Sequence, residues 1–511
     1  DLFLVAEQDG HVPREWAGFG LFYRDCCYLG RYELALGGVR PLHLASSWIE
    51  GFSAEIELTN ASLETASKTP IAMHTLGISR RLIVLGRECT WVDAIMLRNF
   101  GREAVRFPLT LAFSAGFESI FVVRGARQGR RGVLQRPICE GATVTFGKLG
   151  ADDVQRSLEV TFSRTPSVAP QTSEDTVASF DIVLEARESC ELRIAMRVRQ
   201  IEKPARAQAA PRALPSREAL DRYQEHTSQH WLDGLVRVES DAAALERVVR
   251  RSLSDLRLLR LERDGLRFAA AGVPWFVGLF GRDTLIPCLQ CLAFDAEMAK
   301  QTAQLLARYQ GQRCDARRFE QPGKILHELR VGEMAHLGEI AQTPSYASVD
   351  STLLFLILVA RYASWTGPLG LFEALEPAIA KALTWIAECG DLSGRGYVEY
   401  DGKTEQGSPI NQGWKDSGEA VVRKDGSFPE PPIALAEVQG YAYLAKRALA
   451  GLYRSLGKST IAARLEGEAA ALRARFNRDF WMPAEGCYCM GLERGGRQIC
   501  TLTSNAGQVL F

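Results

Sequence analysis

The sequence predicts a multidomain β + α fold, in which an antiparallel β-sandwich is followed by a helical domain. Residues 1–202 contain short runs in which apolar and polar side chains alternate, the pattern of strands with one buried face. Residues 203–216 are rich in Pro and Ala and predict a linker. Residues 217–511 repeat apolar side chains three and four positions apart, which is the period of amphipathic helices.

The strand pattern is clearest in Phe107–Phe113, in Leu158–Phe162 and in Leu192–Val198, where apolar residues alternate with Arg193, Ala195 and Arg197. Gly, Pro, Asn and Asp punctuate such runs, which favours an antiparallel sandwich. Beyond the linker we predict helices over Ala242–Glu262, Asp283–Gln310, Ser351–Trp365, Leu371–Cys389, Ile433–Leu456 and Ser459–Phe480. Several connections between these helices are long and polar, so we expect a binding or catalytic site on them.

Charge and composition exclude several classes of protein. The chain has 61 Lys and Arg against 61 Asp and Glu, so its net charge is zero. A protein that binds nucleic acid or an anionic membrane surface usually carries a basic excess, and we expect neither partner. No run of about 18 apolar residues is present that would span a bilayer.

The cysteine and histidine patterns predict neither a metal site nor another cofactor. The 12 cysteines are scattered, and the single CxxC, Cys288–Cys291, has no second pair to complete a zinc site. His327-Glu328 begins an HExxH motif, but Val331 stands where the second His would be required. This many free thiols suits a reducing compartment, so we predict a cytoplasmic location.

Polar loop residues before a predicted helix form the first candidate site. Gly281 allows the backbone to turn, and Asp283 or Thr284 is placed to cap the helix, with a local ion pair between Arg282 and Asp283. The alternative is a sugar clamp, in which Trp275 offers an apolar face while Arg282 and Asp283 bind adjacent hydroxyls.

Three further polar segments add to this site. His327 and Glu328 belong to a loop that either lines a cleft or is solvated. Asp416 is a candidate for a carboxyl group whose pKa is shifted by its neighbours, because burial against Trp414 would raise its pKa and a close Lys415 would lower it. Glu437 begins a helix and favours its N-terminus. Together these aromatic and acidic loop residues indicate a carbohydrate cleft.

At these segments the sequence resembles the bacterial amylo-alpha-1,6-glucosidase-like proteins of the glycogen debranching type. In the N-terminal part the resemblance is carried by Gly20–Asp25, Tyr28-Leu29, Phe121–Gly125 and Arg131-Gly132. In the C-terminal part it is carried by Gly272–Phe276, Phe280–Asp283, Pro322–Glu328, Tyr346 with Asp350, Asn411–Ser417 and Glu437–Tyr441. The resemblance implies an N-terminal debranching-enzyme β domain and a glucoamylase-like (α/α)6 toroid.

The resemblance also implies an inverting glycosidase with an exo-acting pocket. It gives Asp416 the role of general acid, Arg282 and Asp283 that of holding the non-reducing terminal sugar, and Trp275 that of a subsite wall. The other substrate-binding residues that it implies are Phe276, His327, Glu328, Asp350, Trp414, Lys415, Glu437 and Gln439. Gln321 departs from the family, which tends to have an acidic residue there. The loop 391–400 gives no support to a cation site.

The ends of the sequence look cut, because it starts at Asp1 without Met or a signal peptide and stops at Phe511 within an apolar run. We therefore expect the toroid to be truncated and the general base, a Glu in relatives, to lie beyond Phe511, which would leave residues 1–511 inactive. The main hypothesis is hydrolysis of terminal α-glucosyl residues of glycogen or another α-glucan. The alternatives are hydrolysis of small glycosides, such as glucosylglycerate or mannosylglycerate, and glycan binding without catalysis.

Overall fold

The computed structural model describes residues 1–14, 18–64, 70–126, 129–202, 214–402 and 410–510. Most of the predicted linker, 203–213, lies outside the described residues. The N-terminal strands are β1 Leu2–Val5, β2 Gly20–Tyr23, β3 Cys26–Leu29, β4 Arg31–Leu36, β5 Leu42–Ile49, β6 Ser53–Thr59, β7 Leu76–Leu85, β8 Thr90–Asn99, β9 Val105–Ser114, β10 Glu118–Ser119, β11 Val133–Glu140, β12 Thr143–Leu149, β13 Gln155–Phe162, β14 Ser167–Pro170, β15 Asp175–Leu184 and β16 Ser189–Ile201.

The N-terminal domain is built from antiparallel sheets, as the alternating pattern predicted. An eight-stranded sheet runs in the order β11-β12-β13-β16-β8-β7-β6-β5, and a four-stranded sheet runs β14-β15-β9-β4. Both sheets contribute to one apolar core, in which the rings of Tyr32 and Trp91 lie 5.0 Å apart and those of Phe113 and Phe162 lie 5.9 Å apart. The three segments predicted most clearly as strands lie within β9, β13 and β16.

A smaller sheet, in the order β1-β2-β3-β10, leads toward the second domain. Its strand β10 is followed by the short helix α1, Ile120–Val123. Phe22, Cys27 and Ile120 form an apolar cluster here, and Trp275 of the second domain packs against it. This cluster is one of the places where the two domains meet.

The second domain is mainly helical, as predicted. Its helices are α2 Arg217–His230, α3 Ala243–Leu258, α4 Gly281–Gln290, α5 Ala296–Arg308, α6 Glu333–His336, α7 Ser351–Thr366, α8 Gly370–Ala374, α9 Glu376–Glu388, α10 Ala436–Ser455 and α11 Ser459–Asp479. The short strands are β17 Arg260–Arg263, β18 Leu266–Ala269, β19 Leu279–Phe280, β20 Glu328–Leu329, β21 Ala434–Leu435, β22 Trp481–Met482, β23 Cys487–Tyr488, β24 Gly491–Leu492 and β25 Gln498–Ile499.

Helix α7 lies at the centre of the helical core. Residues 351–360 are buried on every side, as expected of a helix that is apolar all round, and α7 packs against α4, α5 and α10. Within the described residues, none of the helices has the combination of length and apolar character needed to cross a bilayer. All 12 cysteines are free thiols, and the CxxC pair, Cys288 and Cys291, is buried.

Three predicted helices differ from the structure. The helix predicted over Asp283–Gln310 is two helices, α4 and α5, because the Asp295 carboxylate accepts a bond from the Met298 amide at 3.0 Å and starts a new helix. The range Leu371–Cys389 also divides, into α8 and α9. The range Ala242–Glu262 ends as a helix at Leu258 and continues into the β17–β18 hairpin. Helix α2 was not predicted.

Candidate active site

A cavity of about 450 Å³ opens between α3, α4 and the loop that carries Asp416. This volume lies within the range of small-molecule sites. One part of its wall is apolar and the other carries polar groups from Arg282, Asp283, Trp414, Asp416 and Gln508. The apolar part comprises Leu256, Leu259, Ala269, Ala270, Ala271, Phe276, Phe280, Ile286 and Pro287.

The Arg282 guanidinium joins two carboxylates at this wall. Its Nη1 donates to Asp350 Oδ2 at 3.0 Å and to the Gly413 carbonyl at 2.9 Å, and its Nη2 donates to Asp416 Oδ2 at 2.9 Å. The Asp350 side chain is fully buried, whereas that of Asp416 is 41% exposed. Arg282 therefore ties a buried carboxylate to an accessible one that lines the cavity.

The surroundings of Arg282 keep it charged. Burial opposes the charged form, but the carboxylates of Asp350, Asp283 and Asp416 outweigh burial and raise the pKa of Arg282. Because Arg282 is occupied by Asp350 and Asp416, it does not form the local ion pair with Asp283 that the sequence suggested. Arg282 therefore holds the Asp350 and Asp416 carboxylates in fixed positions relative to each other.

Asp283 lines the cavity, and its binding of a sugar hydroxyl stays a prediction. Burial raises the pKa of its carboxyl, with Arg282 opposing and Asp350 adding to the increase. The alternative prediction of a helix cap at Asp283 or Thr284 is wrong, because α4 already begins at Gly281. The Thr284 hydroxyl donates to the Ala269 carbonyl instead.

Glu437 is buried behind the loop that carries Asp416. Its Oε2 accepts a bond from Asn505 Nδ2 at 2.8 Å, and a Cβ placed on Gly413 would lie 3.4 Å from Oε1. Burial raises the pKa of Glu437 to about 7, although the Asn505 bond acts in the opposite direction. The carboxyl is therefore largely neutral below pH 7, and it does not line the cavity.

Three buried polar atoms around the site have no hydrogen-bond partner among the described residues: His327 Nδ1, Trp414 Nε1 and Glu437 Oε1. Buried polar groups without partners are uncommon and call for an explanation, such as a ligand. Burial and, secondarily, Arg282 lower the pKa of His327 to about 3, so its imidazole is neutral at ordinary pH. The loop 323–330 that carries His327 is buried rather than solvated.

Phe276 lies at the cavity wall, where Trp275 was expected from the sequence. Phe276 lines the cavity, whereas Trp275 lies outside the lining and packs against the N-terminal domain, where its ring is 6.5 Å from that of Phe22. Trp275 and Phe276 are adjacent in the sequence and both aromatic, so only packing against the other domain distinguishes them. Of the two predicted aromatic residues, Phe276 therefore lines the cavity, and the role of Trp275 as a subsite wall stays a prediction.

Three other predicted binding residues are placed elsewhere. Glu328 accepts a bond from Arg330 at the boundary between the domains. Gln439 bonds with its amide group to both backbone polar atoms of Val398. Lys415 lies with its Nζ 5.6 Å from the centroid of the Trp414 ring and does not line the cavity. None of these three side chains lines the cavity, and their contact with substrate stays a prediction.

Among the described residues one cluster has potential metal ligands, formed by Glu7, Asp9 and His11. Arg40 donates to both carboxylates, and His11 donates its backbone amide to Asp9 at 3.1 Å. Both carboxylates are thus paired with Arg40. The cluster lies in the N-terminal domain and lines no part of the cavity.

Several lining residues carried no functional signal in the sequence. Leu256 and Leu259 follow the apolar spacing of α3, and that spacing predicts only a buried face. Gln508 lies far along the chain from the other polar residues, and the Tyr441 hydroxyl donates to its side chain at 2.8 Å. These residues reach the cavity through tertiary packing alone.

Residues 1–195 match the family described as the N-terminal domain of (some) glycogen debranching enzymes. This match confirms the resemblance that the N-terminal motifs indicated. No curated protein matches the chain in sequence.

Two solved structures share the fold over most of the chain. A putative kojibiose phosphorylase from the human microbiome superposes with a TM-score of 0.54 and 9% identity, over 91% of this chain and 61% of that one. A bacterial glucoamylase complexed with acarbose superposes with a TM-score of 0.55 and 11% identity, over 89% of this chain and 63% of that one. The chain thus spans 61% and 63% of these proteins' lengths. At such identity the likeness establishes the fold, which is glucoamylase-like with a β-rich N-terminal domain.

Proposed function

We propose that this protein is a glycoside hydrolase of the amylo-alpha-1,6-glucosidase type, which removes terminal α-glucosyl residues from an α-glucan with inversion. The observation that carries the proposal is the Arg282 bridge between Asp350 and Asp416 at the wall of the cavity. A pocket with carboxylates and an aromatic side chain suits the non-reducing end of a sugar chain. The glucoamylase-like fold supports this assignment and favours an (α/α)6 arrangement of the helices.

In this proposal Asp416 is the general acid that protonates the glycosidic oxygen. Its side chain is the accessible one of the two carboxylates on Arg282, so it can exchange that contact for the substrate. Arg282 stays in place during the exchange because Asp350 and the Gly413 carbonyl hold its Nη1. An inverting enzyme also needs a second carboxylate, about 6.5–9.5 Å from the general acid, which activates the attacking water. The proposal assigns that role to no described residue.

Asp283 and the aromatic residues bind the terminal sugar in this proposal. Asp283 shares the cavity wall with Asp416, and its carboxyl can bond to ring hydroxyls. Phe276 and Trp414 supply apolar faces for the pyranose, and the unpartnered Trp414 Nε1 supplies a donor. The buried Asp350 does not touch the sugar and acts through Arg282.

The test is to incubate the purified full-length protein with isomaltose, maltose and panose, and to follow glucose release by proton NMR. We expect glucose from the α-1,6-linked substrate, with the β-anomer appearing first. Asp416→Asn is the matched control and should release glucose about 10²–10⁴-fold more slowly. Release of the α-anomer first would contradict inversion. Turnover that occurs only with added inorganic phosphate would replace hydrolysis by phosphorolysis, and no turnover of any α-glucoside would overturn the proposal.

A further inference from the structure

Gln508 reaches the cavity from a short turn that packs against helix α10. The turn is the 3-10 helix Gly507–Leu510, and a Cβ placed on Gly440 of α10 would already touch Val509 Cα at 3.4 Å. The Gln508 side chain lines the same cavity as Asp283. The turn therefore brings a polar side chain to a cavity whose other walls are α3, α4 and the loop that carries Asp416.

Two hydrogen bonds, one helical turn apart, tie this segment to α10. Glu437 and Tyr441 are four positions apart on α10 and therefore lie on the same face of the helix. Glu437 accepts a bond from Asn505 Nδ2 at 2.8 Å, and the Tyr441 hydroxyl donates to Gln508 Oε1 at 2.8 Å. Tyr441 is buried, so its hydroxyl keeps a fixed position. The Gln508 carboxamide is thus oriented before a ligand binds, which reduces the entropy cost of binding.

The bond from Tyr441 leaves the NH2 group of Gln508 available. A carboxamide has an acceptor oxygen and an NH2 group with two donors, and Tyr441 engages the oxygen. No described residue bonds to Gln508 Nε2. This atom is also absent from the buried polar atoms that lack a partner among the described residues, so it is accessible. Nε2 can therefore donate to a molecule that occupies the cavity.

The polar groups of the cavity wall are complete for a sugar only if such a donor is present. A sugar hydroxyl both donates and accepts, so a hydroxyl that donates to the Asp283 carboxyl still needs a donor for its own oxygen. Arg282 lines the cavity, but both of its terminal nitrogens already donate to acceptors of the protein. Among the described side chains that line the cavity, the uncommitted N–H donors are Trp414 Nε1 and Gln508 Nε2.

We propose that Gln508 binds the terminal glucosyl unit by donating its NH2 group to one of the sugar hydroxyls, and that Tyr441 is a positioning residue that fixes the orientation of this carboxamide. The inference rests on the proposed function and adds a hydroxyl-specific contact to it. A site that hydrogen-bonds a hydroxyl rejects the analogue that lacks it, because the donor of the site is then left unpaired. Gln508 therefore contributes to the selection of glucose over sugars that lack or invert that hydroxyl.

Deoxy substrates test the contact of Gln508 directly. The probes are p-nitrophenyl α-glucoside and its four monodeoxy derivatives, with kcat/KM measured for the full-length protein. Gln508→Met keeps the length of the side chain and has no donor, so it should lose about tenfold on the parent glucoside. The variant should discriminate about tenfold less than the wild type against one derivative, and as the wild type does against the other three. A variant that discriminates among all four as the wild type does would overturn the inference.

A second set of variants tests the positioning role of Tyr441. Tyr441→Phe removes the bond to Gln508, so it should raise KM with little change in kcat, and in the Gln508→Met background it should have no further effect. The matched control is Tyr488→Phe, because the Tyr488 hydroxyl donates to Asn477 Oδ1 at the same 2.8 Å and neither residue lines the cavity. The control should leave kcat/KM unchanged. Losses that add in the double variant would contradict the positioning role.

Calorimetric binding of deoxynojirimycin separates this inference from the proposed function. This amine has the shape and hydroxyls of glucose but no glycosidic bond, so its binding does not depend on hydrolysis. If Gln508→Met binds it about tenfold more weakly than the wild type, the inference holds even where no glycoside is hydrolysed. In that case the hydrolase proposal alone fails. Equal binding by the two proteins, or binding by neither, would overturn the inference whatever the turnover.

Discussion

Asp25 and Arg330 are 305 positions apart in the sequence and form an ion pair of 2.9 Å across the boundary between the domains. Both side chains are almost fully buried, at 4% and 1% exposure. Arg330 also donates to the Trp275 carbonyl at 2.8 Å and stacks on the Phe280 ring at 5.1 Å. The N-terminal domain is therefore tied through one guanidinium to the segment that carries the cavity's aromatic wall.

The first prediction removes the charge of Asp25. Asp25→Asn leaves the buried Arg330 guanidinium without its full counter-charge, and breaking a buried pair costs on the order of 3 kcal/mol. We expect a lower denaturation midpoint in urea. Asp181→Asn is the control, because Asp181 and Arg106 form an ion pair that is mostly exposed and contributes little. A midpoint for Asp25→Asn that matches this control would contradict a structural role for the pair.

The second prediction concerns Gly281, the first residue of α4. A Cβ at this position would lie 2.1 Å from the Leu326 carbonyl oxygen and 2.6 Å from Ser351 Oγ. Gly281→Ala must push these elements apart beside Arg282, so we expect a loss of stability of about 1–3 kcal/mol and a fall in activity. Gly370→Ala is the matched control, since Gly370 also begins a helix and its Cβ would meet nothing within 4 Å. Similar melting temperatures for the two variants would show that the contact at Gly281 relaxes without cost.

Much of the fold could be predicted because local pattern and tertiary environment agree. Strand β9 alternates along its whole length, and α7 is apolar enough to be recognised as a buried helix. The β17–β18 hairpin was missed although its signal was present: Asp264-Gly265 has the Asp-Gly sequence of a tight turn, and both residues have positive φ. The continuous apolar spacing around it masked that signal.

The sequence predicted which polar residues reach the cavity better than it predicted which residues they bond to. Asp416 and Asp283 reach the cavity, as their polar segments indicated. The two hydrogen-bond partners of Arg282 could not be deduced from the sequence, because Asp350 and Asp416 lie 68 and 134 positions away and only the fold brings them together. Arg124 belongs to a family motif, but its contacts with the Trp275 and Phe276 rings of the other domain could not be predicted from the sequence.

The third prediction is a pH dependence of stability due to Glu437. Burial raises the pKa of its carboxyl from the ordinary value of 4.5 to about 7 in the folded protein, so the folded state keeps a proton that the unfolded state loses. The stabilisation from this proton is fully present below pH 4.5 and is lost as the pH rises through about 7. The free energy of unfolding then falls by about 3 kcal/mol relative to its value at low pH. Glu437→Gln has no charge to bury and should be more stable than the wild type at pH 8.

Comparing the stabilities of the wild type and Glu437→Gln at pH 4.5 and at pH 8 isolates the effect of Glu437. Asp350 and Lys415, whose charges act on Glu437, are present in both proteins, so the difference between wild type and variant reports mainly on Glu437 itself. We expect the two unfolding curves to be similar at pH 4.5 and separated at pH 8. A wild type as stable as the variant at pH 8 would show that Glu437 carries its charge without cost in the folded protein.

The last prediction tests Asp416 as the general acid. Asp416→Asn keeps a bond to Arg282 Nη2 through its amide oxygen but has no proton to give to the leaving group. We expect hydrolysis of a natural glucan to fall by about 10²–10⁴-fold, with substrate binding largely retained. A glucosyl fluoride has a good leaving group and needs little protonation, so the variant should keep much more of its activity on that substrate. If Asp416 only stabilises its loop through Arg282, the variant should lose binding and melt earlier, and the fluoride should suffer as much as the glucan. Equal losses on the two substrates would therefore assign Asp416 a structural role and leave the acid to another carboxyl group of the site.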